Sequence, residues 1–184
     1  MKILETSLPG VLIIEPTIFV DDRGCFAEIF NAERYAKAGL REPFVQDNFS
    51  HSKSGVLRGL HLQWPNPQAK LVSVIAGRVL DVAADVRVGS PTFGKSVAVE
   101  LDSLKRRQLW IPGGFAHGFV VLSEEADFLY KCDAGYSPKD EIAIRWNDSR
   151  LDIDWPISHP HLTGKDAEAP FLLDILDRLP AFEV

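Results

Sequence analysis

Cysteine is scarce in this chain: of its 184 residues only Cys25 and Cys132 carry a thiol. Two thiols are too few for a disulfide scaffold and show no paired metal-ligand spacing. Both are expected to be reduced and structural, as buried thiols usually are. Positive charge is also short. Lys and Arg number 20 against 26 Asp and Glu, a formal net charge of −6. That balance argues against a nucleic-acid partner, because phosphate binding calls for a basic face. Any anionic ligand must then be met by a local cluster of cations. No apolar run approaches the roughly 20 residues that cross a bilayer, so no membrane partner is expected. The opening residues run at once into charge and proline rather than an apolar leader. A soluble, cytoplasmic protein is the expectation. The chain also lacks internal repeats, linkers and low-complexity tracts. At this length it can bury one substantial core but falls short of two ordinary domains, so residues 1–184 are read as a single domain.

Turn signals are plentiful by contrast. They recur at Pro9-Gly10, Asp21-Asp22-Arg23-Gly24, Ser54-Gly55, Pro65-Asn66-Pro67, Gly77, Gly89-Ser90-Pro91 and Pro112-Gly113-Gly114. That spacing favours an all-β sandwich or barrel. From Val72 to Val86 the residues alternate. Val74, Ala76, Leu80, Val82, Ala84 and Val86 are expected on a core face, and Asp81, Asp85 and Arg87 on a polar one. Helix signals are few. Asn31 is placed to cap a short helix running through Ala38 to Gly39, and Phe171, Leu172, Ile175, Leu176 and Leu179 predict another after Pro170. Both are expected to cover the core rather than carry chemistry.

The densest polar patterning lies in Gln46-Asp47-Asn48 and in Val56 to Gln63. Arg58 and His61 would fall on opposite faces of a regular strand. The intervening Gly59 predicts a bulge that turns both toward one cavity, where a cation and a near-neutral base would meet.

A second segment, Trp110 to Phe119, contains a Pro-x-Gly-x-x-His core from Pro112 to His117. It resembles the second signature of the cupin superfamily, small double-sheet barrels that often hold a metal there. A metal-binding cupin usually carries His-x-His earlier in the chain, whereas here the matching stretch reads His61-Leu62-Gln63. Glutamine is a poor transition-metal ligand, so no metal is expected. His117 is then an orienting or substrate-contacting histidine, with a plain core role as the alternative.

Further segments follow in order: Asp22-Arg23-Gly24 with Phe26 and Glu28; Gln68 to Val72; Ser90 to Gly94; Phe128 to Lys131; and Lys165-Asp166 before Ala169-Pro170. Together with the two stretches above they resemble the dTDP-4-dehydrorhamnose 3,5-epimerase family over about residues 3–172. The resemblance implies a cupin-type antiparallel jelly-roll barrel with a few short peripheral helices. It also implies a homodimer, no cofactor, and a dTDP-4-keto-6-deoxy sugar inverted at C3 and C5. For the chemistry it implies His61 as base, Asp166 as the carboxylate that orients it, Tyr130 as proton donor on the other face, and Lys70 at the enolate oxygen. For the nucleotide it implies Arg23, Arg58 and Lys165 on the diphosphate and Tyr136 stacked on thymine. Glu28, Gln46, Asp47, Asn48, His117 and Glu141 would be polar substrate contacts.

The chain departs from the family pattern in two places. Many members carry paired tyrosines where this one has Gly135-Tyr136, and Ala84 stands where a bulkier apolar residue is common. Three rival readings stay open at this level. One is a relative that inverts only C3 or only C5; another is a metal-dependent cupin oxygenase; the third is a non-catalytic carbohydrate-binding module.

Overall fold

The computed structural model describes residues 1–40 and 43–182. Its first strands are β1 (Lys2–Glu5), β2 (Leu12–Glu15), β3 (Ile18–Asp21) and β4 (Gly24–Ala27), followed by helix α1 (Ala32–Lys37). The main body comprises β5 (Gln46–Lys53), β6 (Leu57–Gln63), β7 (Lys70–Ala76), β8 (Arg78–Asp85), β9 (Ser96–Asp102), β10 (Gln108–Ile111), β11 (Phe115–Val121), β12 (Glu125–Cys132) and β13 (Glu141–Ala143). A one-turn helix, α2 (Gly164–Ala167), follows.

Strands β1-β2-β10-β7-β12-β5 form a six-stranded sheet and β13-β6-β11-β8-β9 a five-stranded one, with β3-β4 as a separate hairpin. Every pairing between these strands is antiparallel, which is the all-β double-sheet architecture that the turn spacing predicts. Apolar side chains from both sheets meet between them, among them Val72, Val74, Leu109, Phe115, Phe119 and Phe128.

Both outer faces are covered as well. On the six-stranded sheet α1 starts where expected: Asn31 caps it by accepting from the Arg34 amide. Its Tyr35 is buried against Ile14, Leu71 and Trp110 and donates its hydroxyl to Gln108 at 2.6 Å. On the five-stranded sheet the C-terminal segment lays Leu172, Ile175 and Leu179 over Leu62, Val82 and Ala84. That segment is no regular α-helix. Leu172–Arg178 is a 3₁₀ stretch kinked at Ile175 (φ −131°, ψ 23°), because the short span after Pro170 must track the twisted sheet surface.

The alternation from Val72 to Val86 is in fact two strands of different sheets, split at Gly77. There φ is +75° and a Cβ would lie 2.1 Å from the Glu125 carbonyl. Nor is the polar face of β8 a solvated one. Asp81 and Asp85 share the side of Val79 and Ala83, which lie in the core between the sheets, and both aspartates are fully buried. The even-numbered residues face the C-terminal cover instead, where the small Ala84 is buried beside Leu172 and Leu179. The cysteines split too. Cys132 is buried, but Cys25 is exposed on β4, so the expectation of two buried structural thiols holds only for the first.

Asp85 shows how a buried carboxylate is sustained. It accepts from the Arg87 guanidinium at 2.9 and 2.8 Å, the Arg87 amide at 3.0 Å, Ser90 at 2.5 Å and Thr92 at 2.6 Å. Burial pushes its pKa up, yet these bonds outweigh burial and hold it below the ordinary carboxylate range. Arg87 in turn lies over the rings of Phe115 and Phe182, tying the chain end to the barrel. Since its folded-state pKa is depressed, Asp85 stabilises the fold above the unfolded carboxylate pKa and loses that contribution as pH falls through the lower folded value. Asp85→Asn should therefore cost on the order of 3 kcal/mol in urea unfolding at pH 7. The gap to the parent should narrow as pH is lowered below about 4, and a gap constant with pH would contradict this account.

Candidate active site

Strand β6 slips register against β11: His61 stands opposite His117, but Arg58 stands opposite Phe119. Three residues on β6 thus span two on β11, and the extra one reverses the side on which Arg58 points. Gly59 makes the slip possible. Its φ is +118°, and a Cβ there would lie 2.6 Å from the Gly118 Cα and 2.7 Å from the His117 carbonyl oxygen. The predicted bulge is present, and Arg58 and His61 line one cavity of about 300 Å³ with Lys70, His117, Tyr130, Lys165 and Asp166. Ser50, Phe119, Phe128 and Thr163 complete its wall.

Asp166 arrives from α2, a turn capped by the Thr163 hydroxyl, which accepts the Asp166 amide. One carboxylate oxygen lies 2.6 Å from His61 Nε2. Burial raises the Asp166 pKa, but the His61 bond and charge, together with Thr163 and the Gly59 amide, outweigh burial and hold the carboxyl below its usual range. An ionised carboxylate only accepts, so His61 donates to it through Nε2, which leaves Nδ1 as the ring nitrogen turned away from the carboxylate. The result is an imidazole whose orientation is fixed by a buried carboxylate.

Tyr130, on the inner face of β12, pairs across the sheet with Asn48 on one side and Val72 on the other. Burial raises its pKa, with Cys132 adding to the effect and Arg58 opposing it, so the phenol keeps its proton. Lys70 opens β7 beside it. Burial lowers the Lys70 pKa, while Asp81 and Glu141 are among the groups that pull it back up.

Sequence reasoning left Asp81 without a role. Its Oδ2 lies 3.0 Å from His117 Nε2, and its Oδ1 is buried without a hydrogen-bond partner among the described residues. Burial raises the Asp81 pKa against the pull of His117 and Lys70. Two histidines, His61 on β6 and His117 on β11, therefore line the cavity, and each is bonded to a buried carboxylate. The available signal was two aspartates inside an apolar strand, a pattern that a solvated face does not require.

The remaining expected contacts fall into two groups. On β5, Gln46 and Asn48 face inward, with the Gln46 amide donating to Asn48 at 2.9 Å. Asp47 faces the other way, paired with Lys131 at 2.9 Å beside a groove of about 680 Å³ under α1. Consecutive strand residues cannot share a face, so Asp47 does not join the cavity. Glu141 accepts from the Tyr136 hydroxyl at 2.8 Å and pairs with Lys165. Burial raises the Glu141 pKa, but Lys165 and Tyr136 outweigh it and hold the carboxyl low. Arg23 and Glu28 do not reach the cavity of their own chain. Arg23 pairs with Asp21 on the exposed hairpin turn, and Glu28 pairs with Arg34 of α1 at 3.0 Å.

This arrangement matches known proteins over nearly the whole chain. Residues 5–174 fit the family described as dTDP-4-dehydrorhamnose 3,5-epimerase. The dTDP-4-dehydrorhamnose 3,5-epimerase of Salmonella typhimurium is 53% identical over 94% of this chain and 96% of its own. The solved dTDP-6-deoxy-D-glucose-3,5-epimerase of Legionella pneumophila, in complex with dTDP-4-keto-L-rhamnose, superposes with a TM-score of 0.96. It is 51% identical, and the match covers 100% of this chain and 99% of that one. A 3'-monoepimerase of Streptomyces bikiniensis in complex with dTDP-quinovose is 35% identical with a TM-score of 0.90, covering 96% of this chain and 91% of that one. The barrel is thus of the cupin type, the enzyme is an isomerase, and the chain belongs to the dTDP-4-dehydrorhamnose 3,5-epimerase family.

Proposed function

We propose that this chain inverts C3 and C5 of dTDP-4-dehydro-6-deoxy-D-glucose to give dTDP-4-dehydro-L-rhamnose, by metal-free acid–base chemistry in the cytoplasm. The observation that carries the mechanism is the shared cavity of the His61–Asp166 pair, the Tyr130 phenol and Lys70. A C4 ketone acidifies the C–H bonds of both neighbouring carbons, so the substrate supplies its own electron sink and asks for no cofactor. His61 Nδ1 takes the proton. The C–H electron pair moves into an enolate, whose oxygen meets the Lys70 ammonium. Tyr130 then returns a proton to the opposite face of that carbon, and the configuration inverts. A phenol with a raised pKa suits this step, since only a group as basic as an enolate removes its proton. The Asp81–His117 pair borders the same space and holds a second imidazole toward the ring.

Arg58 and Lys165 lie at the same cavity and supply the local cations that an overall acidic chain needs for a diphosphate. Tyr136, 54% exposed, offers its ring to the base.

Homodimerisation belongs to the same proposal. The β3–β4 hairpin exposes Phe19 (63%), Val20 (77%) and Phe26 (68%), more apolar surface than a small hairpin leaves to water without a partner. Arg23 sits at its tip. In this reading the hairpin packs on a second copy and carries Arg23 and Glu28 to that copy's nucleotide. The rival reading, inversion at C3 alone, has the weaker support: a 3'-monoepimerase shares this fold at 35% identity, against 51% and 53% for the 3,5-epimerases.

Proton NMR of the dTDP-4-keto sugar in D₂O separates the two, because solvent deuterium should enter both C3 and C5 and both should invert; uptake at C3 alone would select the monoepimerase. His61→Ala should lose uptake and inversion together by about 10²–10⁴-fold. Tyr130→Phe should keep uptake while losing most inversion, and unimpaired inversion in that variant would remove Tyr130 from the acid role.

Lys70 and Lys165 should separate kinetically. An interaction formed only in the transition state sets kcat, and one present throughout sets KM. Lys70→Ala should lower kcat by about 10²–10³-fold, whereas Lys165→Ala should mainly raise KM. An unchanged kcat for Lys70→Ala would end its assignment to the enolate.

Mixing tests the shared site. Arg23→Ala and His61→Ala proteins, each impaired alone, should regain activity when unfolded and refolded together, since a hybrid dimer then contains a site with both residues intact. No gain on mixing would place Arg23 at its own chain's site or nowhere.

A further inference from the structure

Gln63 occupies the position on β6 at which a metal-holding barrel would carry a second histidine, and its side chain is committed elsewhere. Its Nε2 donates to the Gly135 carbonyl at 3.3 Å and the Asn66 carbonyl at 3.2 Å. Its Oε1 accepts from the Ser137 amide at 2.8 Å. Gly135 and Ser137 are the two neighbours of Tyr136, and the Tyr136 amide itself is held by Gln46 Oε1 at 2.9 Å. Three successive residues of the turn are thus pinned by two glutamine side chains from the barrel wall.

Packing on this stretch is thin. Among the described residues, its own chain neighbours aside, nothing stands within 4 Å of where a Gly135 Cβ would be, and the Tyr136 ring is half exposed, tethered at its hydroxyl by Glu141. Hydrogen bonds to Gln63 and Gln46 are therefore the main ties on the backbone that aims the ring. Gln63 is 5% exposed, so an amide left without these bonds would be costly to bury. It also lies two residues beyond His61 on the same strand, so the turn is registered against the element that carries the base.

We propose that Gln63 is a positioning residue for nucleotide recognition: it holds the 135–137 turn so that Tyr136 presents its ring to the pyrimidine of a nucleoside diphosphate. The proposal rests on the reading of Tyr136 as the base platform. A ring held in place before binding avoids the ordering cost that a loose turn would pay on contact. Removing the clamp should therefore weaken binding without touching the reacting carbons.

The test uses Gln63→Met, which keeps the side chain's length and volume but neither donates nor accepts as an amide does. Titration calorimetry with dTDP should show Kd raised about tenfold. KM for the keto sugar should rise in parallel, with kcat at saturating substrate and the rate of deuterium uptake kept within about twofold. In a Tyr136→Ala background the same substitution should add nothing further, because the two residues act as one unit. Thermal melting reports whether Gln63→Met folds. Should it not, Gln63→Glu serves instead: it keeps an acceptor for Ser137, loses both donors, and should likewise raise Kd while sparing kcat. A folded variant with unchanged Kd, or one that weakens dTDP equally with and without Tyr136, would overturn the proposal. If Tyr136→Ala alone leaves dTDP binding intact, the platform reading itself fails, and the role given to Gln63 fails with it.

Discussion

Between Arg58 and His61 strand β6 carries one residue more than its partner β11, and the cavity depends on that surplus. A regular β6 would send Arg58 outward, among the side chains that meet the C-terminal cover. The slip requires Gly59 and Gly118 to pass backbone to backbone, since a Cβ on Gly118 would lie 2.8 Å from the Arg58 carbonyl oxygen and one on Gly59 fits no better. A two-glycine contact thus decides which way the cation of the site points. The Gly59 amide also helps hold the Asp166 carboxyl low, so the bulge reaches His61 through the carboxylate bonded to it.

Around that frame the electrostatics are arranged in pairs. Each inward histidine has its own carboxylate: His61 has Asp166, and His117 has Asp81. The cations are distributed at different depths. The pKa of Lys70 is lowered by burial, against the upward pull of nearby groups that include Asp81 and Glu141. Arg58 and Lys165 stand nearer solvent, where a permanently charged group costs little to keep. An acidic protein can therefore hold an anionic ligand without a basic surface.

Much of this was legible in the sequence because the relevant physics is local. Turn residues at regular spacing announce the antiparallel strands, Asn31 announces its helix, and Gly59 announces the bulge. What stayed hidden depends on which faces are covered. The alternation of β8 marks two faces, but only the C-terminal cover decides that the apolar one lies outside the barrel and the aspartates lie within. Asp47 differs from Asn48 solely by the pleat, which three adjacent polar residues do not reveal. Arg23 and Glu28 match a motif, yet the fold keeps both out of the cavity lining of their own chain, tied instead to Asp21 and Arg34, and a motif does not state which way the surrounding hairpin leaves the barrel. Gln63 was noticed for the ligand it could not be. Its part in holding the turn needs the 72-residue separation to Gly135 closed in space.

Lys165 pairs with Glu141, and Glu141 also holds the Tyr136 hydroxyl. On the proposed reading a diphosphate that draws on Lys165 shares that ammonium with the carboxylate that tethers the aromatic ring, so the phosphate end and the base end of the nucleotide are wired together through one side chain.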